Sequence, residues 1–403
     1  MGTGLAHGLR SSTPNPQLPT ALKILLASTS SGSRGGGELC LLYLARALTE
    51  RGHEVSLWMS THPRMDELAA LFAPIGKVIR TGYKNTYDYR TRSLAHIFGG
   101  RVARQIAAQW REIAPDVIHI NKQNLEDGLD LLDAAERSGI PSIATIHITQ
   151  SAGYLRARHA FARDWIAARR LSRYHGILVP TLDQRERELR AFAGSAARIR
   201  TVLNGVPIPD LSAQPDVRNS VRAELRVAPG GTLFVGVGRV VAQKRPLLWL
   251  EWAEKIRRSV PGASFAWVGD GTLAGDFDRA VQEHGLTDSV RRVAWTNDVQ
   301  PYLRAADAFL HTAEFEGLSF ALLEALAAAL PVVVTENLLA ELPFLTGDVS
   351  VALQQGCETA LADRDGLAAL GAKARRLAEE KFSFATMAAN YERLYREALD
   401  QRA

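Results

Sequence analysis

Residues 308–335 read AFLHTAEFEGLSFALLEALAAALPVVVT. Ala308–His311 is a short apolar run of strand type. Leu318 to Leu330 is an apolar helical stretch, and Pro331 ends it before a second strand-like run, Val332–Thr335. Strand, helix and strand in direct succession make a crossover unit of a parallel sheet. Glu324 and Pro331 interrupt the apolar run, whereas a membrane span needs roughly 18 apolar residues in a row.

The same alternation extends outward in both directions. Further strands of the second half fall at Thr232–Val237, Ser264–Val268, Val290–Ala294 and Val349–Leu353. The first half has its own series: Lys23–Ser28, Glu54–Trp58, Val78–Arg80, Val117–Ile120, Ser142–His147 and Gly176–Pro180. Amphipathic stretches such as Glu38–Glu50 and Val102–Ile113 lie between them. Two such series predict two doubly wound α/β domains. The hinge is placed at Gly205–Ser220, where Pro207, Pro209 and Pro215 break both helices and strand ladders. The domain reading is 1–20 as a disordered lead-in, 21–207 and 208–384 as the two α/β domains, and 385–403 as a final helix. In that helix Met387, Tyr391, Leu394 and Tyr395 form an apolar stripe that must be buried.

The chain has 403 residues, 46% hydrophobic and 23% charged, in line with soluble globular domains with full cores. The Gly-, Ser-, Thr- and Pro-rich start is not a signal peptide pattern. Cys40 and Cys357 stand far apart in no metal spacing, which points to a reducing compartment. The expected location is cytoplasmic. The net charge is +5, concentrated in the first half. Lys77 to Arg111 holds eight Lys/Arg against Asp88, and Tyr154 to His175 holds six Arg against Asp164. These clusters suit either an anionic partner, such as a phosphorylated acceptor or a peripheral membrane contact, or simply solvated helix faces. No nucleic-acid partner is expected.

In doubly wound sheets ligands sit beyond the carboxyl ends of the strands, and four motifs lie there. Gly35-Gly36-Gly37-Glu38 follows the first strand and opens a helix, so backbone and dipole are available to a phosphate or sugar. Its spacing is not that of a dinucleotide fingerprint, which disfavours a nicotinamide-dependent dehydrogenase. Gly238-Arg239 with Lys244 sets a guanidinium and an ammonium on one loop, a pattern suited to a diphosphate. Glu314 to Glu324 carries Glu316 on a loop, a helix expected to begin near Gly317, and Glu324 in an otherwise apolar helix. A carboxylate placed so is costly unless hydrogen-bonded. His147 closes a strand beside the presumed cleft. Each feature has a plainer reading, as a surface cation, a locally capped glutamate or a structural histidine.

Together these residues resemble retaining glycosyltransferases of family 4, from about Lys23 to Tyr395. Gly238-Arg239-Val240-Val241-Ala242-Gln243-Lys244 is similar to that family's donor loop, and Glu316 and Glu324 stand at its Glu-x7-Glu spacing. Thr145-Ile146-His147, Leu203-Asn204-Gly205-Val206, Val268-Gly269-Asp270-Gly271 and Pro331-Val332-Val333-Val334 follow in matching order. The resemblance implies the GT-B fold, two Rossmann-like domains facing a central cleft, with the last helix crossing back to the first domain. It implies that Arg239 and Lys244 hold the diphosphate of a UDP- or GDP-linked sugar, that Glu324 binds ribose hydroxyls and Glu316 a sugar hydroxyl. It places His147 in the sugar pocket. Gly36, Gly37, Gly238, Gly317, Leu318 and Ser319 would contribute backbone near the donor. Ser319 and Ala329 depart from frequent glycines of the family, and Asn337-Leu338 from a Gly-Gly pair before Glu341.

The reaction so implied is sugar transfer from the nucleotide donor to an acceptor hydroxyl, with anomeric retention. No metal and no cofactor are expected, because two cations and a helix dipole oppose the leaving diphosphate. Asp363-Arg364-Asp365 reads as the start of a surface helix, not a metal motif. The acceptor is left open between anionic and lipid-linked molecules. Two other functions stand beside this one: a sugar-nucleotide epimerase using the same cleft, and a non-catalytic sugar-nucleotide-binding protein.

Overall fold

The computed structural model describes residues 21–30, 35–85, 88–89, 91–194, 197–212 and 215–401. The lead-in expected over residues 1–20 lies outside them. The described residues form two six-stranded parallel sheets. The first holds β1 (Lys23–Ser28), β2 (Glu54–Ser60), β3 (Lys77–Thr81), β4 (Val117–Lys122), β5 (Ser142–Ile146) and β6 (Ile177–Pro180), in the order β3-β2-β1-β4-β5-β6. The second holds β7 (Leu233–Val237), β8 (Ser264–Val268), β9 (Val290–Val293), β10 (Ala308–His311), β11 (Val332–Val334) and β12 (Ser350–Ala352), in the order β12-β11-β10-β7-β8-β9.

Counted within its own domain, each sheet has the doubly wound order 3-2-1-4-5-6, so strand order reverses between β1 and β4 and again between β7 and β10. Helices cover both faces, and the central strands are apolar runs for that reason. Buried β4 is the exception in composition. It carries His119, Asn121 and Lys122, all without solvent exposure. Such residues need internal partners, and those partners organise the cleft end of the first domain.

The chain crosses between domains twice, at Leu203–Val206 and at Phe382–Phe384, and the crossings are tied to each other. The Val206 amide donates to the Phe382 carbonyl at 2.8 Å, and the Phe384 amide donates to the Val206 carbonyl at 2.9 Å. A side chain at Gly205 would overlap the Ser383 carbonyl oxygen and stand 2.9 Å from the Met387 Cβ. Only a glycine lets the two segments pass this closely. The expected hinge is partly regular: the helix Pro215–Glu224 begins within it.

Beyond the second crossing, the helix Phe384–Asp400 lies on the first sheet. Met387, Tyr391 and Tyr395 are fully buried there among Val117, Ile143 and Val179, each contributing roughly 2 kcal/mol by burial. Polar contacts fix its register. His119 Nδ1 meets the Tyr395 hydroxyl at 2.8 Å, His119 Nε2 meets Thr145 Oγ1 at 2.7 Å, and the Tyr391 hydroxyl meets the same Thr145 Oγ1 at 2.8 Å. Burial pushes the His119 imidazole down to about 3, so it is neutral and uses one nitrogen as donor and the other as acceptor. Cys40 and Cys357 are buried free thiols. Asp363 caps the helix Arg364–Lys381, its Oδ1 accepting from the Gly366 amide at 3.0 Å.

Tyr395→Phe keeps the ring packing but strands one nitrogen of His119. Urea unfolding is expected to show a loss of about 1–3 kcal/mol. An unchanged midpoint would mean that the hydroxyl does not hold the helix in place.

Candidate active site

All four motifs emerge at carboxyl ends of strands, on the two facing edges. The loop after β1 leads into the helix Gly36–Glu50, His147 follows β5, Gly238-Arg239 follows β7, and Glu316 follows β10. The two sheets therefore present their switch points to one another.

On the second domain, Lys244 and Glu316 form an ion pair. His311, the last residue of β10, brings its Nε2 to 3.4 Å from the same Glu316 oxygen. Burial raises the Glu316 carboxyl, but the Lys244 ammonium and the His311 ring outweigh that and hold it at about 2. His311 itself is pushed down by burial. The stem of Lys244 lies against Gly238, whose amide bonds the Val268 carbonyl at 3.0 Å. An ammonium has three donors, so Lys244 keeps capacity for a ligand beyond Glu316. Arg239 is exposed at the mouth of the loop, and its charge acts on Glu38 across the cleft.

The helix expected near Gly317 begins later, at Phe320, and ends at Ala327 rather than Leu330. Gly317 and Leu318 belong to a bend preceding it, because Gly317 passes directly under the first domain. A side chain there would overlap the His147 carbonyl oxygen. Leu318 is held by its carbonyl, which accepts from Asn204 Nδ2 at 2.7 Å. Ser319 is the N-cap, yet its side chain takes no hydrogen bond from the first helical amides. Those amides and the positive end of the dipole are left for another acceptor. At the far end Ala329 adopts φ 59°, a left-handed conformation that costs a non-glycine residue about 1–2 kcal/mol.

The first domain supplies the opposite wall. His147 Nε2 donates to Asn121 Oδ1 at 2.8 Å, and Asn121 Nδ2 donates to the Gly37 carbonyl at 3.0 Å. An amide oxygen only accepts, so the proton is on Nε2 and Nδ1 is the acceptor. Burial lowers the imidazole to about 4, and His147 is neutral near pH 7. It can accept a hydroxyl proton in a hydrogen bond but offers no positive charge. Gly36 opens the helix against the Phe320 ring, where a Cβ would stand 3.4 Å from it. Glu38 is buried beside Gln123, whose Nε2 donates to it at 3.3 Å, and burial raises its carboxyl.

Glu324 is buried, and the Tyr43 hydroxyl donates to its Oε1 at 2.5 Å. Burial lifts this carboxyl to about 7. Of the residues singled out in the sequence, the structure brings Lys244 and Glu316 together. It sets His147 over Gly317 and gives Glu324 a partner from the other domain. Tyr43, His311 and Asn121 were not singled out, and Asn204 entered only within the matching stretch Leu203–Val206. Tyr43 stands seven residues after Gly36 on one helix face, a spacing that could have marked it. His311 has no comparable signal, since only the fold brings it to Glu316. Glu341 proves to be a domain tie: its carboxylate meets the fully buried Arg185 at 2.6 Å, and Arg185 also grips Glu188 at 2.6 Å.

Comparisons with known proteins agree with this geometry. The sequence model described as Glycosyltransferase Family 4 matches residues 34–208, and that described as Glycosyl transferases group 1 matches residues 231–379. The chain belongs to the group 1 glycosyltransferases, and its fold is GT-B. The Vi polysaccharide biosynthesis protein VipC/TviE of Salmonella typhi is 27% identical over 142 residues, 35% of this chain and 25% of that protein. The UDP-Gal:alpha-D-GlcNAc-diphosphoundecaprenol alpha-1,3-galactosyltransferase of Escherichia coli is 30% identical over 141 residues, 34% of this chain and 36% of that protein. The chain thus spans about a quarter to a third of these relatives. Among solved structures, Anabaena Alr3699/HepE in complex with UDP and glucose superposes with a TM-score of 0.73 at 18% identity, covering 92% of this chain and 98% of the other.

Gly317→Ala is expected to lower unfolding stability by about 1–3 kcal/mol, because the added methyl must displace the His147 backbone. Urea denaturation measures it, and a variant of undiminished stability would contradict so tight an approach.

Proposed function

We propose that this protein transfers a sugar from a nucleoside diphosphate donor, UDP-linked in the first instance, to an acceptor hydroxyl, with retention of anomeric configuration and without a metal ion. The observation that carries the proposal is the cluster at the β7/β10 switch point. Lys244 is fixed by Glu316, Arg239 stands exposed on the same loop, and a helix start lacks its side-chain cap. A guanidinium, an ammonium and free amides are what a diphosphate requires. The UDP complex of the Anabaena neighbour and the UDP-sugar in the name of the Escherichia coli relative support a UDP donor.

In this reading the bond between the anomeric carbon and the β-phosphate oxygen breaks as the acceptor oxygen bonds to that carbon on the same face. The acceptor's proton passes to the departing phosphate oxygen. Arg239, Lys244 and the amides near Ser319 oppose the charge that grows there, and each such donor is worth on the order of 3 kcal/mol in the transition state. Glu316, ionised and buried, takes a hydroxyl of the donor sugar. Neutral His147 accepts from another through Nδ1. Glu324 takes the ribose hydroxyls.

Arg239→Ala and Lys244→Ala are each expected to lower transfer at least a hundredfold while leaving the circular dichroism spectrum unchanged. Transfer should persist in excess EDTA, and proton NMR of the fresh product should give the donor's anomeric configuration. Undiminished turnover in either variant, loss of activity in EDTA or an inverted product would each remove its part of the proposal. Sugar release or epimer formation without any acceptor would instead favour the epimerase.

A membrane-borne acceptor fits the surface of the first domain. The helix Ala160–Ser172 exposes Phe161 (86%) and Trp165 (57%), the Arg169 guanidinium lies over the Trp165 ring, and Arg156, Arg158 and Arg173 are exposed just before and after the helix. Exposed large apolar side chains in an arginine-rich stretch suit an anionic lipid surface. Two arginines of this cluster are otherwise engaged: Arg163 grips Glu126 at 2.6 Å and 2.9 Å, and buried Arg170 pairs with Asp133 and Glu136. No helix among the described residues is long and apolar enough to cross a membrane. The lipid diphosphate in the name of the Escherichia coli relative's substrate points the same way. Sedimentation with phosphatidylglycerol vesicles at low salt is expected to capture the protein, and Phe161→Ser with Trp165→Ser to release it. Binding that does not rise with anionic lipid would end this reading.

A further inference from the structure

The helix Gly36–Glu50 turns one face toward the second domain. Gly36, Leu39, Cys40 and Tyr43 recur at helical spacing and pack into the core of that domain, Cys40 fully and Leu39 and Tyr43 at its margin. The Tyr43 ring lies 5.8 Å from Phe320, and its hydroxyl reaches Glu324 one helical turn further on. Phe320 and Glu324 share a face of the helix Phe320–Ala327, so two helices from different domains meet along this seam.

We propose that Tyr43 is a positioning residue for the donor nucleotide: its hydroxyl orients the Glu324 carboxylate, so that Glu324 accepts the ribose hydroxyls only when the first helix is seated on the second domain. This rests on the donor site proposed above and adds to it a residue from the opposite domain. Oε1 is held by Tyr43, which leaves Oε2 and the second lone pair of Oε1 to receive a ribose diol. Away from Tyr43 the carboxylate would lose this donor and the orientation it sets.

The electrostatics run in the same direction. Burial raises the Glu324 carboxyl, the Tyr43 hydroxyl lowers it, and the neighbouring Asp298 raises it. The Tyr43 phenol is itself held well above its usual range by burial and by Glu324, with Arg46 opposing, so it remains a donor at any working pH. The ribose needs the ionised carboxylate as acceptor. Affinity that depends on it is therefore complete above the Glu324 pKa of about 7 and is lost as pH falls through it. Removing the hydroxyl moves that midpoint upward.

UDP binding to the whole protein, measured by titration calorimetry from pH 5.5 to 9 with GDP as second probe, tests this. Tyr43→Phe keeps the ring contact with Phe320. Its midpoint is expected to rise by about one pH unit, making binding roughly tenfold weaker at pH 6 and close to the unaltered protein at pH 9. Glu324→Gln should abolish the pH dependence and weaken binding throughout. A Tyr43→Phe profile that superposes on the unaltered one, or that is weaker by the same factor at every pH, overturns the role of Tyr43. If Glu324→Gln binds as tightly as the unaltered protein, or neither nucleotide binds at all, the donor site fails and Tyr43 with it.

Discussion

The two crossings of the chain between domains are bonded to each other at Val206 and Ser383, and everything at the cleft depends on that knot. It fixes where the carboxyl ends of one parallel sheet stand relative to those of the other. Two doubly wound sheets each make half a site, a Gly-rich turn and a histidine on one, cations and carboxylates on the other. Neither half is a site until the ends face each other at a set distance. The glycine at 205 permits the knot, and the last helix, anchored through His119, Thr145 and two tyrosines, holds it against the first sheet.

From this follows a cleft whose two walls already touch. Gly317 runs under the His147 carbonyl, Gly36 meets Phe320, Tyr43 reaches Glu324, and Arg185 clasps Glu341. These contacts use backbone, aromatic edge, hydroxyl and ion pair in turn. All join the domains close to where the donor is proposed to lie. Buried charge near them is arranged in contrasting states. Glu316 is kept ionised by a cation and an imidazole, while Glu324, raised by burial with the Tyr43 hydroxyl opposing, titrates near neutrality. Two carboxylates eight residues apart thus acquire different characters from their surroundings alone.

The sequence by itself determined the α/β class, the two series of strands and the loops that carry chemistry. Those signals are local: apolar runs, prolines, glycines and the placing of Arg239, Lys244, Glu316 and Glu324 just beyond strands. The strands expected at Lys23–Ser28, Ser264–Val268 and Ala308–His311 match to the residue, since each is a short apolar run bounded by polar or small residues. Only the tertiary structure decided the partners. That His311 completes the Lys244–Glu316 pair, that Tyr43 serves Glu324, and that Glu341 binds Arg185 follow from segments distant in the chain brought together by the fold. The start of the helix at Phe320 instead of Gly317 has the same origin, because the close passage beneath His147 bends the chain first. Local pattern carries propensity and side-chain chemistry. The distances between domains depend on where the chain turns back on itself, and no run of residues encodes those alone.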